Sequence, residues 1–189
     1  MTIIQLIIII SSVILALVLL VVFIVIIEAL VRQHYLPTST TVLDRVQTII
    51  SEHIPHGGIV YDLGCGHGLF ALSIQKENPT RSVRGIDTSY IRIWFAKVYT
   101  YLIGRHVIFT RKNIFNADLR DADIVYTYLW YSVMPPLEQK LRKELKPGAI
   151  VITNTSYFPN WKPIRTIITH QVPCATPDFE TLFIYRQDT

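Results

Sequence analysis

The stretch Tyr61-Asp62-Leu63-Gly64-Cys65-Gly66-His67-Gly68 decides the fold of this chain. It follows an apolar run, carries an acid ahead of three glycines at every second position, and opens into a helix-like segment at residues 69–77. A strand that ends in a carboxylate and continues into a loop with few side chains lets a ligand approach the bare backbone. The start of the following helix supplies free N–H groups. The pattern therefore predicts a site for a small charged cofactor.

The first 27 residues contain no charged side chain, and residues 3–27 form an apolar run that only Gln5, Ser11 and Ser12 interrupt. As a helix this run would be about 37 Å long, enough to cross a hydrocarbon core of about 30 Å. The alternative is a cleaved signal peptide, but residues 1–5 lack Lys and Arg and the run is longer than a typical signal core. We expect a retained transmembrane helix within residues 1–32. Because all Lys and Arg follow it, the rest of the chain is predicted to lie on the cytoplasmic side.

The charge balance is mildly basic, with 18 Lys and Arg against 14 Asp and Glu in 189 residues. A net charge of +4 without a Lys/Arg block could favour an anionic lipid surface or an acidic partner, and it does not suggest nucleic acid. Two cysteines far apart in the sequence fit a reducing compartment better than a disulfide framework. No Cys/His/Asp cluster has metal-ligand spacing, so no metal is predicted.

Strands and helices alternate after the span and a linker with one helix at residues 33–58. We predict five strands, at residues 59–63, 82–86, 106–110, 123–127 and 149–153. Helices are predicted between them at residues 69–77, 89–103 and 136–145, and two further β-rich runs at residues 164–172 and 179–186. This order predicts an α/β, Rossmann-like sheet of five parallel strands plus a C-terminal antiparallel hairpin, in a domain at residues 59–189.

Polar residues follow the first three strands, at the edge where an open α/β sheet binds ligands. Asp87 ends the second strand, where an acid commonly accepts hydrogen bonds from ribose hydroxyls. Asn113, with Ile114 and Phe115, follows the third strand and could read and sandwich an adenine ring. A carboxylate at Asp62 would repel the pyrophosphate of NAD, but it suits the cationic amino group and sulfonium of S-adenosylmethionine. S-adenosylmethionine is therefore favoured over NAD and over a tight turn that binds nothing.

Aromatic residues crowd the end of the fourth strand, within residues 126–132. We predict that Tyr128, Trp130 and Tyr131 contact cofactor or substrate, because their rings can hold a methylammonium-like group. The alternative is that strand packing buries about half of them. Among the histidines only His67 is a site candidate, since it lies in the glycine loop.

A second set of aromatic and apolar residues lies within the helix predicted at residues 89–103. These residues recur along one side of the helix, and such a stripe usually belongs to the core. We therefore predict a core position for four residues, which are Tyr90, Trp94, Val98 and Tyr101.

Together the motifs resemble the class I S-adenosylmethionine-dependent methyltransferases. Four segments narrow the resemblance: Tyr35-Leu36-Pro37-Thr38-Ser39, the glycine run, Leu137-Glu138-Gln139-Lys140-Leu141 and Phe158-Pro159-Asn160-Trp161-Lys162-Pro163. In this order they look like the lysine methyltransferase family of the mitochondrial ATP synthase c-subunit and adenine nucleotide translocase enzymes. Those relatives also carry a hydrophobic segment just before the methyltransferase domain.

The resemblance implies roles for individual residues. Phe158 and Trp161 would border the substrate, and His67 would join the aromatic residues at the catalytic position. The predicted cofactor contacts are Tyr35, Pro37, Thr38, Asp62, Gly64, Cys65, Gly66, Gly68, Asp87, Thr88, Asn113, Ile114 and Phe115.

The chain also departs from the family pattern at four positions. The family usually has an acid at His67 and an Arg at Leu69, whereas Asp87 and Asn113 preserve the hydrogen-bonding roles of the usual Glu and Asp. These departures bear on the substrate more than on the cofactor.

Three hypotheses follow from the sequence. The first is a membrane-anchored protein-lysine N-methyltransferase that transfers a methyl group in line to a neutral lysine amine of a membrane protein. The second is a methyltransferase of a small membrane-associated acceptor such as a quinone or a lipid. The third is a non-catalytic anchored module that keeps the cofactor fold.

Overall fold

The computed structural model describes residues 3–31, 38–169 and 180–188, and it divides the chain into two compact units, Met1–Pro37 and Thr38–Thr189. The first unit contains the helix α1 (Ile3–Val31). Its segment Ile3–Ile24 is long and apolar enough to cross a membrane, judged by length and composition. Insertion into a membrane and the predicted domain limits at residues 32 and 58 stay predictions.

The second unit is a seven-stranded mixed sheet with helices on both faces. Its helices are α2 (Thr40–His53), α3 (Leu69–Glu77), α4 (Tyr90–Leu102) and α5 (Met134–Glu144). Its strands are β1 (Ile59–Leu63), β2 (Ser82–Asp87), β3 (Val107–Arg111), β4 (Ile124–Thr127), β5 (Ile150–Asn154), β6 (Arg165–Ile168) and β7 (Thr181–Arg186).

The strand order is β3-β2-β1-β4-β5-β7-β6. Strands β1 to β5 pair in parallel, and β7 pairs antiparallel with both β5 and β6. This arrangement confirms the predicted five parallel strands with a terminal antiparallel hairpin. The strand order reverses between β1 and β4, and such a switch point opens a crevice at the carboxyl ends of the strands.

Two apolar clusters, one on each face of the sheet, form the core. Helices α2, α3 and α4 cover one face, while α5 and the loops around it cover the other. Strands β4 and β5 are buried along their whole length, as continuous apolar strands between two helical layers should be. Helix α2 belongs to this core through Val42, Val46, Ile49 and Ile50, which recur at helical spacing.

The prediction that one aromatic stripe of α4 belongs to the core was wrong. Tyr90, Trp94, Val98 and Tyr101 are all exposed, with exposed fractions of 56% for Trp94 and 86% for Tyr101. The helix instead faces the sheet with Ile93, Ala96 and Thr100. The short side chain of Ala96 allows this close approach, and the stripe lies on the opposite side of the helix.

Candidate active site

The glycine loop at residues 62–68 follows β1 at the switch point of the sheet. Gly64, Gly66 and Gly68 have left-handed φ angles of 81°, 54° and 80°, a region that side chains disfavour. A Cβ atom at Gly68 would lie only 2.3 Å from Cζ of Phe109. The carbonyl of Ile86 accepts the N–H groups of both Gly64 and Cys65, at 2.8 and 3.0 Å. The loop is thus a tight cradle that requires glycine at its closest approach.

Asp62 is a buried carboxylate, and the described residues leave one of its oxygens without a hydrogen bond. Its exposed fraction is 3%, and its Oδ2 atom has no hydrogen-bond partner among the described residues. Burial, reinforced by the negative charge of Asp87, raises the pKa of Asp62 to about 8, although a backbone hydrogen bond from Ala71 opposes the shift. A cationic ligand group beside Oδ2 would supply the missing partner and favour the charged carboxylate.

Asp87 ties the cradle to the next helix. Its Oδ2 atom accepts the Gly66 N–H at 3.0 Å, and its Oδ1 atom accepts the Ser89 N–H at 2.8 Å, where α4 begins. The buried carboxylate therefore holds two backbone segments together. Thr88 lies exposed beside it. The predicted contact of Asp87 with a ribose stays a prediction, which the remaining lone pairs of the carboxylate permit.

Cys65 contributes to the cradle through its backbone and to the core through its side chain. The thiol is buried, and burial raises its pKa, so it is a neutral packing group. Its Sγ atom fills space over Gly85, where a Cβ would approach to 2.9 Å.

The predicted adenine segment follows β3 as a short 3-10 turn, Ile114–Asn116. Asn113 caps this turn, with its Oδ1 atom accepting the Phe115 N–H at 3.0 Å. Ile114 is buried in the core, whereas the Phe115 ring is partly exposed. The capped turn orients these side chains at the same sheet edge as Asp62, but their contact with an adenine is untested.

The aromatic segment after β4 separates into buried and exposed rings. Tyr128 is half-buried, and its hydroxyl group is buried. The hydroxyl forms no hydrogen bond of normal geometry with the described residues, but it interacts with the nearby Thr155 side chain. Burial raises the pKa of Tyr128. Trp130 and Tyr131 are exposed, and the Tyr131 ring lies edge-on to Tyr157 at 5.3 Å between centroids. Their predicted contacts with substrate stay predictions.

Tyr126 belongs to the inner part of the same segment and joins three elements. Its ring stacks on Phe70 of α3 at 3.8 Å, and its hydroxyl lies 3.0 Å from Oγ1 of Thr38 and 3.5 Å from Nδ2 of Asn154. Burial raises the pKa of this hydroxyl. The predicted cofactor residue Thr38 is thus placed next to the switch point. The roles of Phe70 and Asn154 were missed, because nothing in the local sequence signals contacts across the sheet.

A second cluster links residues far apart in sequence at the ends of β5 and β7. Glu180 accepts the Ser39 N–H at 3.2 Å and the Ser39 hydroxyl at 2.7 Å, while its own N–H donates to Oγ1 of Thr155 at 3.0 Å. Thr155 and Glu180 have φ angles of 66° and 56°, which are unusual for residues other than glycine. Sequence reasoning missed this cluster. It fixes the start of α2 beside Tyr128 and Thr155.

Three other predicted site residues lie around these clusters. Phe158 and Trp161 are buried and pack at tilted angles against Tyr185, with ring centroids 4.9 and 5.3 Å from the tyrosine ring. This position favours a packing role, and their contact with substrate stays a prediction. His67 is half-buried, with its ring edge-on to Phe95 of α4 at 5.7 Å. Tyr35 and Pro37 lie outside the described residues.

No group of three metal-ligating side chains occurs within residues 3–31, 38–169 and 180–188. The arrangement that does occur combines a glycine cradle, an incomplete buried carboxylate and a half-open aromatic rim. It can hold a cationic ligand without a phosphate at the carboxyl edge of the sheet.

In sequence and in fold the chain is similar to known methyltransferases. The ANTKMT methyltransferase domain family matches residues 62–165. A protein-lysine N-methyltransferase of Saccharolobus islandicus is 30% identical over 135 residues, which cover 70% of this chain and 83% of the archaeal protein. The adenine nucleotide translocase lysine N-methyltransferase of Mus musculus is 28% identical, over 65% of this chain and 54% of the mouse protein.

The ATP synthase c-subunit lysine N-methyltransferase of Xenopus laevis is also 28% identical, over 68% of this chain and 56% of the frog protein. The chain thus spans about half the length of the two animal relatives. Among solved structures, an RNA methyltransferase of Salinibacter ruber in complex with S-adenosyl-L-homocysteine superposes with a TM-score of 0.70 at 24% identity. That alignment covers 81% of this chain and 94% of the bacterial protein, and it supports the fold.

Proposed function

This chain belongs to the ANTKMT methyltransferase family, and we propose that it is a membrane-anchored protein-lysine N-methyltransferase. Membership confirms the family and enzyme class expected from the sequence, and with them S-adenosylmethionine as the cofactor. The observation that carries the proposal is the family match over residues 62–165, since that range contains the cradle, Asp87 and the aromatic segment. The names of three relatives support a protein lysine as the acceptor.

The residues present fit this cofactor. The Oδ2 atom of Asp62, which has no partner among the described residues, is an acceptor suited to a cationic amino group, directly or through a water. The cradle at Gly64–Gly68 lets the backbone approach a ligand closely, and no basic side chain is needed there because the cofactor has no phosphate. When bound, S-adenosylmethionine supplies an electrophilic methyl group on a sulfonium.

The chain's own contribution is to hold the acceptor amine and keep it neutral. A lysine ammonium has a pKa of about 10.4 in water, and transfer into a dry aromatic slot lowers that pKa. We assign this slot to Tyr128, Trp130 and Tyr131. Because burial raises the pKa of Tyr128, its hydroxyl stays protonated and can orient the amine through a lone pair. Positioning then supplies much of the rate effect.

We further propose that α1 anchors the enzyme in a bilayer, with the catalytic domain on the cytoplasmic side. The apolar segment Ile3–Ile24 and the location of all Lys and Arg beyond it support this placement. An anchor would keep the active site close to lysines at the membrane surface, which favours a membrane protein as substrate.

A second candidate function is methylation of a small membrane acceptor such as a quinone or a lipid. The exposed rings at the rim of the site could line a path for such a molecule. A non-catalytic module is the third possibility, and failure to bind S-adenosylmethionine would favour it.

The experiment is incubation of the full chain with isolated membranes and methyl-labelled S-adenosylmethionine, followed by mapping of the label. We expect label on a lysine of a membrane protein. Label that appears only in the lipid fraction would contradict protein-lysine methylation and support methylation of a small membrane acceptor instead. The matched controls are Asp87→Ala, which should abolish labelling, and Asp118→Asn, an exposed carboxylate paired with Arg120, which should not change it.

A further inference from the structure

Helix α4 presents an apolar surface that the described part of the domain does not cover. Its outward side chains are large, with exposed fractions of 72% for Leu102 and 56% for Trp94. Helical spacing places them on one side, opposite the buried Ile93 and Ala96. We define the α4 surface by five outward residues, which are Ile91, Trp94, Phe95, Val98 and Leu102.

A helix that is apolar on all sides is normally buried or in a membrane. Here the side toward the sheet is satisfied by packing, and no described residue covers the outward side. Contiguous exposed apolar patches of this kind mark interaction sites rather than ordinary surface. The question is which partner the chemistry of the patch selects.

The border of the α4 surface is aromatic and basic. Tyr90, Tyr99 and Tyr101 are exposed beside it, and tyrosine and tryptophan favour the headgroup level of membranes. The helix carries Arg92 and Lys97 and no acidic residue. The guanidinium of Arg111 lies 6.0 Å from the Tyr90 ring centroid and adds a positive charge at one end.

This combination points to a lipid bilayer with anionic headgroups. An apolar and aromatic surface bounded by basic side chains suits the membrane interface, where the rings reach the acyl boundary and the cations meet the headgroups. A second copy of the chain is a poorer fit, because a two-fold contact through α4 would bring its basic border against the same basic border. We propose that the α4 surface is a second membrane-contact site, which lies flat on the bilayer.

The α4 surface adjoins the candidate active site. Phe95 contacts His67 of the glycine loop, and Leu69, two residues further along the chain at the start of α3, is exposed as well. The surface would thereby turn the opening of the site toward the bilayer.

The proposal rests on the proposed anchoring only in that α1 keeps the domain near a membrane. The test therefore separates the two. The full chain is reconstituted in phosphatidylcholine vesicles with a minority of phosphatidylglycerol, and flotation reports whether the chain is bound. Tryptophan emission is then measured in these vesicles and in vesicles whose phosphatidylcholine is brominated, because bromine quenches an indole only at short range.

We expect brominated lipid to quench the share of emission that belongs to Trp94, one of three tryptophans. This quenching should disappear in Trp94→Phe. The matched control combines Trp94→Phe with Ile168→Trp, which moves the indole to an equally exposed position on β6, at the opposite edge of the sheet. In that variant the indole at residue 168 should not be quenched, so the remaining quenching should equal that of Trp94→Phe alone. Lys97→Glu should weaken the quenching of Trp94, and removal of phosphatidylglycerol should do the same.

Flotation without quenching of Trp94 would overturn the proposal while leaving the anchor intact. Equal quenching at residue 168 would also overturn it, because contact would then be unspecific. Concentration-dependent self-association that shields Trp94 without lipid quenching would assign the surface to a second copy. Binding of S-adenosylmethionine by each variant verifies that it is folded.

Discussion

The glycine loop and helix α4 depart from ordinary protein structure in opposite ways. At the loop a polar group, the Asp62 carboxylate, is buried without a full set of partners among the described residues. On α4 large apolar groups such as Trp94 and Leu102 are left exposed by the described part of the chain. Burying a polar group without a partner and exposing large apolar groups both cost free energy. We propose a cation as the partner of the first region and a lipid bilayer as the partner of the second.

The largest effect is expected from Asp62→Asn, which removes the charge but keeps the shape. Breaking a buried charge pair costs about 3–5 kcal/mol, so the affinity for S-adenosylmethionine should fall about 100-fold or more. Isothermal titration calorimetry on the full chain in detergent measures this loss. Asp118→Asn, at an exposed carboxylate, is the matched control. Unchanged affinity in Asp62→Asn would show that the buried carboxylate does not bind the cofactor.

Titration of Asp62 should make the binding of S-adenosylmethionine depend on pH, and Asp62→Asn should remove this dependence. The pKa of Asp62 is raised from about 3.8 to about 8, so the free protein retains the proton over this range. A bound cation favours the carboxylate, and binding should therefore release the proton and strengthen as pH rises toward 8. By the same linkage the free fold loses stability as pH rises from about 4 to about 8, because the unfolded chain has already released this proton, and Asp62→Asn should be the more stable protein at the upper end of that window. Calorimetry in two buffers of different ionisation enthalpy should show proton release in the wild type only.

An intermediate effect is expected from Gly68→Ala, which tests how tight the cradle is. The substitution combines an unfavourable left-handed φ, costing about 1–2 kcal/mol, with overpacking against Phe109, costing about 1–3 kcal/mol. Gly104→Ala is the matched control, because Gly104 has a φ of 64° but open space around it. Thermal unfolding should show a clearly larger loss for Gly68→Ala. Equal losses would mean that only backbone conformation requires glycine there.

The smallest effect is expected on α4. Leu102→Gln should change the free energy of unfolding in detergent by no more than about 0.5 kcal/mol, because the side chain is exposed. Ile93→Ala, on the inward side of the same helix, should cost about 2–5 kcal/mol. Denaturation followed by circular dichroism compares the two. A loss in Leu102→Gln as large as that in Ile93→Ala would place protein, and not lipid, over the α4 surface.

Local patterns were sufficient to predict the sheet and the cradle. The apolar strand runs, the spacing of the glycines and the position of Asp62 can each be recognised within a few residues, because each affects the backbone next to it. The stripe on α4 was assigned wrongly for a physical reason. Apolar residues occur around much of α4, so their helical period does not indicate which side meets the sheet. In the structure that side carries Ile93, Ala96 and Thr100.

Local sequence patterns do not predict the contacts at the rim of the site. Glu180 binds Ser39, which lies 141 positions earlier in the sequence. Thr155, just after β5, has a left-handed backbone, and because it is not a glycine the sequence does not indicate this conformation. Phe158 and Trp161 belonged to a motif that suggested a substrate contact, yet they are buried beside Tyr185. Pairings of this kind depend on the strand order, in which β7 enters between β5 and β6.

Sequence alone was enough for the class of this protein, because its deciding motif is one continuous loop whose glycines and acid act on the backbone next to them. It was also enough to reveal an apolar helix long enough to span a membrane. The tertiary structure decided which polar atom stays without a partner in the described part of the chain and which apolar face stays uncovered there. Burial is a property of the whole packed chain, and only the arrangement of distant elements determines it.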